Sequence, residues 1–385
     1  MTSKAFPVVT TSHPLVEPGR TLREAIVWHT NENHVVKFCE TMQKPALDPT
    51  LIFELFRGTH ATELLTAAVA HFNVFGQLSE QPLSSETLRD RLGLAARPSV
   101  VLFTALKAFG LIIEDETGLL TLTDLARNHL VPGAEFDVGN YVGLAANSPN
   151  VLEMVERLKT NSPAGADTDS GAAFIYRDGI ASAMEAEESA RHFTMALAGR
   201  ARNVAPVLAE NVPMGEAKLL VDVGGGTGIY SFALLHRNPH LRAVIVDRPE
   251  VLRIAEELAV EYDVADRVEF SPGDMFSDPL PADADVVLLS NILHDWDVPE
   301  CRQLVQRWAS ALAPGGQLLI HDVFLNDALD GPLPIALYSA SLFYFTEGRA
   351  YSAAEYRSWL TEAGLTPGEI IPTLIHCGVL PAIRR

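Results

Sequence analysis

The hydrophobic pattern changes its period near the middle of the chain. Over residues 51–130 the apolar positions have helical spacing, and they end in "LIIEDETGLLTLTD", two short β-type runs around Glu114–Gly118. After Lys218 the apolar runs are short, continuously aliphatic and separated by helical spans. The first pattern predicts helices followed by a β-hairpin, and the second predicts a parallel sheet covered on both faces.

The predicted sheet has five strands. Their sequences are "KLLVDV", "RAVIVD", "RVEF", "DVVLLS" and "QLLIHDV". The helix before the last strand has a capping-box-like start at Asp297 and Glu300, and its apolar stripe comprises Cys301, Leu304, Val305, Trp308 and Leu312. We therefore expect a Rossmann-like, doubly wound α/β domain that follows a mostly helical, winged-helix-like N-terminal domain.

These patterns divide the chain into four segments. They are an N-terminal arm (1–48), a winged-helix-like domain (49–135), a helical connector (136–211) and the α/β domain (212–385). In the first half we expect Ser85 to be the N-cap of the helix in "SSETLRDRLGL". In the connector we expect a loop or hinge over Lys159–Ala173 and a helix from about Ile180 to Asn211.

Charge and cysteine content narrow the functional class. The 385 residues have a formal net charge of -20 and no basic cluster, so nucleic acid is a poor partner. No apolar run reaches the roughly 18 residues of a membrane span, and the amino terminus lacks the apolar centre of a signal peptide, so we expect a cytoplasmic protein. Cys39, Cys301 and Cys377 form no Cys-x-x-Cys pair and are interpreted as reduced.

A glycine-rich loop follows the first predicted strand, in "LLVDVGGGTGIY". Gly224, Gly226 and Gly228 would let the backbone approach a ligand and present N–H groups to it. A P-loop is excluded because no Gly-Lys-Ser/Thr follows, and the third glycine of a dinucleotide fingerprint would fall at Ile229, which leaves NAD as a runner-up. Asp247, 19 residues after Gly228 at the end of the second strand, suits a hydrogen bond to two ribose hydroxyls.

A second acidic position follows the third predicted strand. Asp274 in "SPGDMF" could accept a hydrogen bond from an exocyclic amine while Met275 lies against a purine. The alternative interpretation of Asp274 is a turn residue. Both positions fall on the carboxyl edge of the sheet, where open α/β folds bind ligands.

Taken in order, "LVDVGGGTG", "VDRPEV", "GDMF", "NILHDWDVPEC", "LAPGGQLLI" and "GRAYSAAEYRSWLTEAGL" resemble a known family. The chain from about residue 50 to its end is similar to the S-adenosylmethionine-dependent O-methyltransferases of the caffeate and acetylserotonin type. The resemblance implies a class I methyltransferase fold, a homodimer, a small aromatic substrate and S-adenosylmethionine on the glycine loop. It implies that Asp247 binds ribose and that Asp274 and Met275 contact adenine.

The resemblance also implies a catalytic base, His294 of "LHDWD", directly after the fourth strand. The sequence departs from the family near this residue. Asp322 stands where plant-type members have a glutamate that steadies the histidine, Ala350 where a second glutamate is expected, and Ser290, a candidate cofactor contact, where a lysine is frequent.

Three alternatives stay open at this point. A diverged relative would bind the cofactor but hydroxylate, decarboxylate or methylate carbon. A winged-helix regulator would sense the cofactor and bind duplex DNA, which the net charge opposes. His294, Asp295 and His321 have the donor types of a facial iron site, although a core or crevice histidine is the simpler interpretation of His321, and we predict no metal.

Overall fold

A computed structural model describes residues 42–164, 187–281 and 283–385. Residues Cys39–Arg385 form one compact unit. The predicted arm lies outside the described residues except for its last seven positions, and the boundaries predicted within the compact unit stay predictions. Among the described helices, none is long and apolar enough to cross a membrane.

The first half of the described chain is helical and contains one β-hairpin. Its helices are α1 (Thr50–Arg57), α2 (Ala61–Thr66), α3 (Val74–Glu80), α4 (Ser85–Leu92), α5 (Ala96–Ala108), α6 (Asp124–His129), α7 (Gly139–Val142), α8 (Pro149–Thr160) and α9 (Glu187–Asn211). The hairpin pairs β1 (Ile112–Glu114) with β2 (Leu120–Leu122), as the sequence predicts.

Two details differ from the expectations for this half, and the expected start of the connector helix near Ile180 lies outside the described residues. The N-cap of α4 is Ser84 and not Ser85, because the Ser84 hydroxyl accepts a hydrogen bond from the Thr87 N–H at 3.1 Å. Lys159 and Thr160 belong to α8, so the predicted loop begins later, and most of that loop lies outside the described residues. The described part of the predicted connector helix begins at Glu187.

The second half alternates strands and helices. Its strands are β3 (Leu219–Val223), β4 (Arg242–Asp247), β5 (Val268–Pro272), β6 (Ala284–Ser290), β7 (Leu312–Leu325), β8 (Tyr351–Ser352), β9 (Leu365–Pro367), β10 (Ile371–Pro372) and β11 (Cys377–Arg384). Its helices are α10 (Ile229–Arg237), α11 (Pro249–Glu261), α12 (Val298–Ser310), α13 (Leu333–Phe345) and α14 (Ala353–Glu362). Leu312 therefore begins β7 and does not belong to the helical stripe predicted for it.

The strands form one sheet with the order β10-β11-β7-β6-β3-β4-β5, in which β3 to β7 are parallel. Successive residues of β3 face opposite sides: Leu220 packs into the core beneath α9, α10 and α11, and Val221 into the core beneath α12 and α14. A third core joins the N-terminal helices to α13. Burial on both faces explains why the strands are continuous aliphatic runs.

Strand register brings the predicted site residues to one edge. Val223 pairs with Val246 and with Leu289, and Ser290 pairs with His321. The residues that follow these positions therefore leave the sheet side by side at its carboxyl edge. A cavity of about 380 Å³ lined by Leu280, Pro314 and Arg384 lies at the other edge, where β6 and β7 begin, and contains none of the predicted site residues.

Candidate active site

The glycine loop connects β3 to α10. Gly224, Gly226 and Gly228 have φ angles of 63°, 59° and 74°, in the left-handed region that favours glycine. A Cβ atom on Gly224 would meet the Ile292 side chain, whereas a Cβ on Gly226 would have no neighbour within 4 Å. The loop therefore needs its glycines for conformation and packing, and its backbone borders open space at Gly226.

Asp247 closes the loop from the end of β4. Its carboxylate accepts hydrogen bonds from the backbone N–H groups of Gly226 at 2.8 Å and Arg248 at 2.7 Å. Burial raises the pKa of Asp247 to about 6 although both hydrogen bonds lower it. The structure thus places Asp247 directly against the predicted cofactor loop.

Asp222 lies beneath the same loop. Its Oδ2 atom accepts a hydrogen bond from the Ser231 hydroxyl at 2.6 Å, and its buried Oδ1 atom has no hydrogen-bond partner among the described residues. Burial raises the pKa of Asp222 to about 7. An unused buried acceptor at this position favours a polar ligand on the loop.

Asp274 and Met275 lie next to β4. The Gly273 N–H donates to the Asp247 carbonyl at 3.0 Å, which fixes this segment beside the loop. One Asp274 oxygen accepts a hydrogen bond from the Phe276 N–H at 2.7 Å, so Asp274 has the turn role considered for it as well as its position at the edge. Met275 is half-buried, and its carbonyl accepts a hydrogen bond from the Trp308 indole at 3.1 Å.

His294 lies in a short 3₁₀ turn, Leu293–Asp295, after β6. Its Nδ1 atom is 2.6 Å from Oδ1 of Asp322, a β7 residue that is 1% exposed. The other Asp322 oxygen accepts a hydrogen bond from the Tyr356 hydroxyl at 3.0 Å. The shorter carboxylate therefore reaches the histidine and is itself held by a tyrosine.

Charge around His294 favours the imidazolium form. Burial lowers the pKa of His294, but Asp322, Tyr338 and Asp295 outweigh burial and raise this pKa to about 9. The Asp295 carboxylate lies 3.7 Å from Nε2 of His294, and burial raises the pKa of Asp295 to about 6. Burial by itself would raise the pKa of Asp322. The charge and hydrogen bond of His294 outweigh burial and hold the Asp322 pKa below its usual range.

Ser290 and His321 form a separate pair. The Ser290 hydroxyl lies 2.9 Å from Nδ1 of His321 and accepts a hydrogen bond from the Asn291 amide at 3.0 Å. Burial lowers the pKa of His321 to about 3, so its ring is neutral at physiological pH. Among the described residues, no group of three or more His, Cys, Asp or Glu side chains is arranged to hold a metal ion.

Sequence reasoning missed several side chains around His294. Tyr338 on α13 contacts the imidazole edge to face, with ring centroids 5.9 Å apart. Arg200 on α9 donates a hydrogen bond to the Tyr338 hydroxyl at 3.0 Å, and Arg57 on α1 lies over the Tyr338 ring, 4.0 Å from its centroid. In the sequence, only the aromatic character of the α13 segment pointed to Tyr338, and no sequence pattern pointed to Arg57 or Arg200.

Residues 170–366 match the sequence profile of the O-methyltransferase domain. The chain is 33% identical over 318 residues to a Streptomyces sahachiroi 3-hydroxy-5-methyl-1-naphthoate 3-O-methyltransferase, over 82% of this chain and 89% of that protein. The chain belongs to the O-methyltransferase family. The protein is therefore an S-adenosylmethionine-dependent enzyme that methylates a hydroxyl group of a small molecule.

Solved structures agree with the fold of this methyltransferase. An O-methyltransferase family 2 protein from Planctomyces limnophilus, crystallised with apigenin, is 47% identical and has a TM-score of 0.81 over 89% of this chain and 98% of its own. Human N-acetylserotonin methyltransferase in complex with S-adenosylmethionine is 21% identical, with a TM-score of 0.55 over 89% of this chain and 99% of its own, and shows the fold alone. The predicted Rossmann-like fold is confirmed.

The loop of the methyltransferase fits its cofactor chemically. Three left-handed glycines present backbone at the carboxyl edge, and the open space at Gly226 is where a Cβ would otherwise stand. The Asp247 carboxylate adjoins that space, and Asp222 has an unused acceptor beneath it. The N–H groups of the three glycines, which we expected to face a ligand, are instead donated within the protein, to the Val246 carbonyl, the Asp247 carboxylate and the Gly225 carbonyl. The Asp222 and Asp247 carboxylates are therefore the partners that the ammonium group and the ribose hydroxyls of the cofactor would find here.

Proposed function

We propose that His294 is the general base, that Asp322 orients it, and that the methylated group is a phenolic hydroxyl. The single observation that carries this proposal is the 2.6 Å contact between His294 Nδ1 and Asp322 Oδ1 in a buried site beside the glycine loop. With Nδ1 directed at Asp322, Nε2 is the ring nitrogen that can receive a proton from the acceptor. Tyr356 and Asp322 then restrict the ring to that orientation.

A phenol has a reference pKa of about 10 and becomes a good nucleophile only when its proton is removed. When bound, S-adenosylmethionine supplies a methyl group on a sulfonium whose departure leaves a neutral thioether, so no general acid is required. The protein's part is to hold the acceptor oxygen in line and to take its proton at Nε2. Positioning of this kind can supply an effective molarity of about 10⁵ M or more.

We propose that seven residues hold the cofactor. They are Gly224, Gly226, Gly228, Asp247, Asp274, Met275 and Ser290. Asp247 would bind the ribose hydroxyls and Asp274 with Met275 the adenine, while the glycines present backbone to the amino-acid portion. Ser290 would act at the floor of the site, where its hydroxyl already joins Asn291 to His321.

The aromatic acceptor is supported by two relatives. One is named for methylation of a hydroxynaphthoate, and the Planctomyces limnophilus protein was crystallised with apigenin, a flavone with phenolic hydroxyls. In this chain, Tyr338 offers an aromatic surface directly beside His294. Aromatic surfaces of this kind contact flat aromatic ligands favourably.

An acceptor screen tests the proposed reaction. We expect S-adenosylhomocysteine to form only when a phenol is present, and mass spectrometry with NMR to locate the new methyl group on oxygen. A methyl group on carbon would favour the diverged relative instead. Absence of S-adenosylhomocysteine with every phenol, while aliphatic alcohols react, would contradict the phenolic assignment.

We also propose a homodimer. The described part of α1 exposes Leu51, Ile52, Leu55 and Phe56 by 64%, 69%, 73% and 77%, an apolar face larger than isolated surface residues explain. We expect multi-angle light scattering to give twice the monomer mass for the full chain and Leu55→Glu to shift the mass toward the monomer. A wild-type monomer at micromolar concentration would contradict the proposal, and Leu152→Glu on α8 is the matched control.

A further inference from the structure

Arg57 is a buried cation with unused hydrogen-bonding capacity. The residue is 2% exposed, and Nη1 donates to the Ile375 carbonyl at 3.2 Å. Nη2 is also buried and has no hydrogen-bond partner within the described ranges. Burial lowers the pKa of Arg57, but a guanidinium still remains charged at neutral pH. A buried donor on a charged group is costly unless a ligand satisfies it.

No carboxylate of the described residues lies within ion-pair distance of this arginine. Within the part of the chain that the structure describes, neither Arg57 nor Arg200 forms an ion pair, and Arg200 donates instead to the Tyr338 hydroxyl at 3.0 Å. The Cys377 thiol is close to Arg57, with Sγ 3.7 Å from the same Ile375 carbonyl. Burial raises the pKa of Cys377, so this group stays a neutral thiol and supplies no counter-charge.

The nearby carboxylates belong to His294. Asp322 contacts Nδ1 of the imidazole at 2.6 Å, and Asp295 lies 3.7 Å from Nε2. Around Tyr338, two guanidinium groups and the His294 imidazolium thus carry three positive charges, against the two negative charges of Asp322 and Asp295. The excess of positive charge on the Tyr338 side favours an anion there.

The sheet order places Arg57 on the acceptor's side of the base. Along the carboxyl edge the sequence of strands is β11, β7, β6, β3, β4. Arg57 contacts Ile375 just before β11, His294 follows β6, and the glycine loop follows β3. Arg57 is therefore separated from the cofactor loop by the His294–Asp322 pair. The anion that it would bind is consequently carried by the acceptor and not by the cofactor's amino-acid portion.

From these contacts, and resting on the proposed phenol methylation, we propose that Arg57, assisted by Arg200, binds a carboxylate of the acceptor, so that the preferred acceptors are hydroxyaryl carboxylic acids. One aromatic ring, Tyr338, separates the Arg57 guanidinium from the His294 imidazole. An acceptor ring beside Tyr338 spans the same gap, with its hydroxyl at Nε2 and its carboxylate at the guanidinium. The planar fork of arginine matches a carboxylate in two parallel hydrogen bonds.

The test compares acids with uncharged counterparts of the same shape. The acceptors are para-hydroxybenzoate and para-hydroxycinnamate, each against its methyl ester. We expect wild-type kcat/KM to favour the acids by about tenfold or more, the usual effect of a buried charge-assisted hydrogen bond. Calorimetry of the S-adenosylhomocysteine complex should likewise show tighter binding of the acids than of the esters.

Variants assign the preference to the arginine. Arg57→Leu should reduce the acid preference to within about threefold and leave the Kd for S-adenosylmethionine within about twofold of wild type. Arg57→Lys keeps the charge but loses the fork, and it should retain an intermediate preference. Arg200→Gln should also reduce the preference for acids over esters, and this second test does not depend on whether the Arg57 variants fold. Arg302→Leu, at an exposed arginine of α12, is the matched control.

Two results would overturn the inference. If the wild type uses and binds acids and esters equally well, the enzyme does not recognise the acceptor's carboxylate. A preference for acids that is unchanged in Arg57→Leu and Arg200→Gln would exclude the two arginines as its cause. If these variants also bind S-adenosylmethionine more weakly, the arginines bind the carboxylate of the cofactor instead. Arg57-dependent binding of acids without turnover would support the inference while contradicting the proposed reaction, so the two failures are distinguishable.

Discussion

His294→Ala is expected to lower kcat at pH 7 by about 10²-fold or more, the usual contribution of a positioned general base. In the described part of the chain, none of the residues proposed to hold the cofactor forms a hydrogen bond with the His294 imidazole, so the Kd for S-adenosylmethionine should stay within about twofold of wild type. The measurements are steady-state kinetics at saturating cofactor and calorimetric titration of both proteins. His240→Ala, at an exposed histidine bonded to the Gly215 carbonyl, is the matched control.

The pH dependence gives the same prediction a second measurement. With a pKa of about 9, His294 is mostly imidazolium at pH 7, and only about one molecule in a hundred holds the neutral base. We therefore expect kcat/KM for S-adenosylmethionine, which reports the free enzyme, to rise with pH until about 9. A cationic cofactor nearby opposes the imidazolium, so the apparent pKa in kcat should be lower.

The stability of the apoprotein has the opposite dependence on pH. The folded-state pKa of His294 is raised above its ordinary value, so the stabilisation by the Asp322 pair is complete below the unfolded pKa of about 6.5. It is lost as the pH rises through about 9. His294→Ala should remove both the activity step and this loss of stability. Wild-type activity in the variant, or an unchanged pH step, would exclude His294 as the base.

The centre of the fold could be predicted from the sequence because strands β3, β4, β6 and β7 are largely buried on both faces, whereas the short strands β8 to β10 and the antiparallel β11 were not predicted. Each continuous aliphatic run in the second half became a strand, and the following turn residues marked where it ends. The exact ends of helices and strands were harder to predict from the sequence. Ser84 and Ser85 have the same capping chemistry, and the choice depends on which residue has extended backbone; Ser84 does, with φ −65° and ψ 152°. Leu312 fits a helical stripe by spacing, but pairing with Ala284 places it in β7.

The candidate site could be predicted in part from the sequence, for a related reason. Gly226 and His294 each follow a strand and Asp247 ends one, and the carboxyl ends of parallel strands meet at one edge, so a linear pattern specified their proximity. Tyr356, Tyr338 and Arg57 come from helices whose contacts with the edge depend on how distant elements pack. No local period encodes such packing. Asp322 lies between these cases. The strand that carries it was predictable, whereas the 2.6 Å contact of its Oδ1 atom with His294 Nδ1 was not.

Asp247→Ala is expected to weaken S-adenosylmethionine binding by about 10²-fold or more, because two hydrogen bonds from ribose hydroxyls to a charged acceptor contribute about 1.5–3 kcal/mol each after compensation by water. The variant also removes the acceptor of the Gly226 N–H, so the glycine loop loses its anchor as the ribose loses its partner. Calorimetry with S-adenosylmethionine and with S-adenosylhomocysteine measures both effects. The loss should be the same for the two ligands, since neither interaction involves the sulfur.

Asp285→Ala is the matched control for this loss. Asp285 also accepts two backbone hydrogen bonds, from Lys218 at 2.7 Å and Leu219 at 3.0 Å, but at the opposite end of β3. Asp285→Ala should lower thermal stability and leave the Kd for the cofactor within about threefold of wild type. In the wild type, binding should weaken as the pH falls through about 6, where Asp247 takes up a proton. Cofactor affinity that survives Asp247→Ala would place the ribose elsewhere and would leave the carboxylate only as the anchor of the glycine loop.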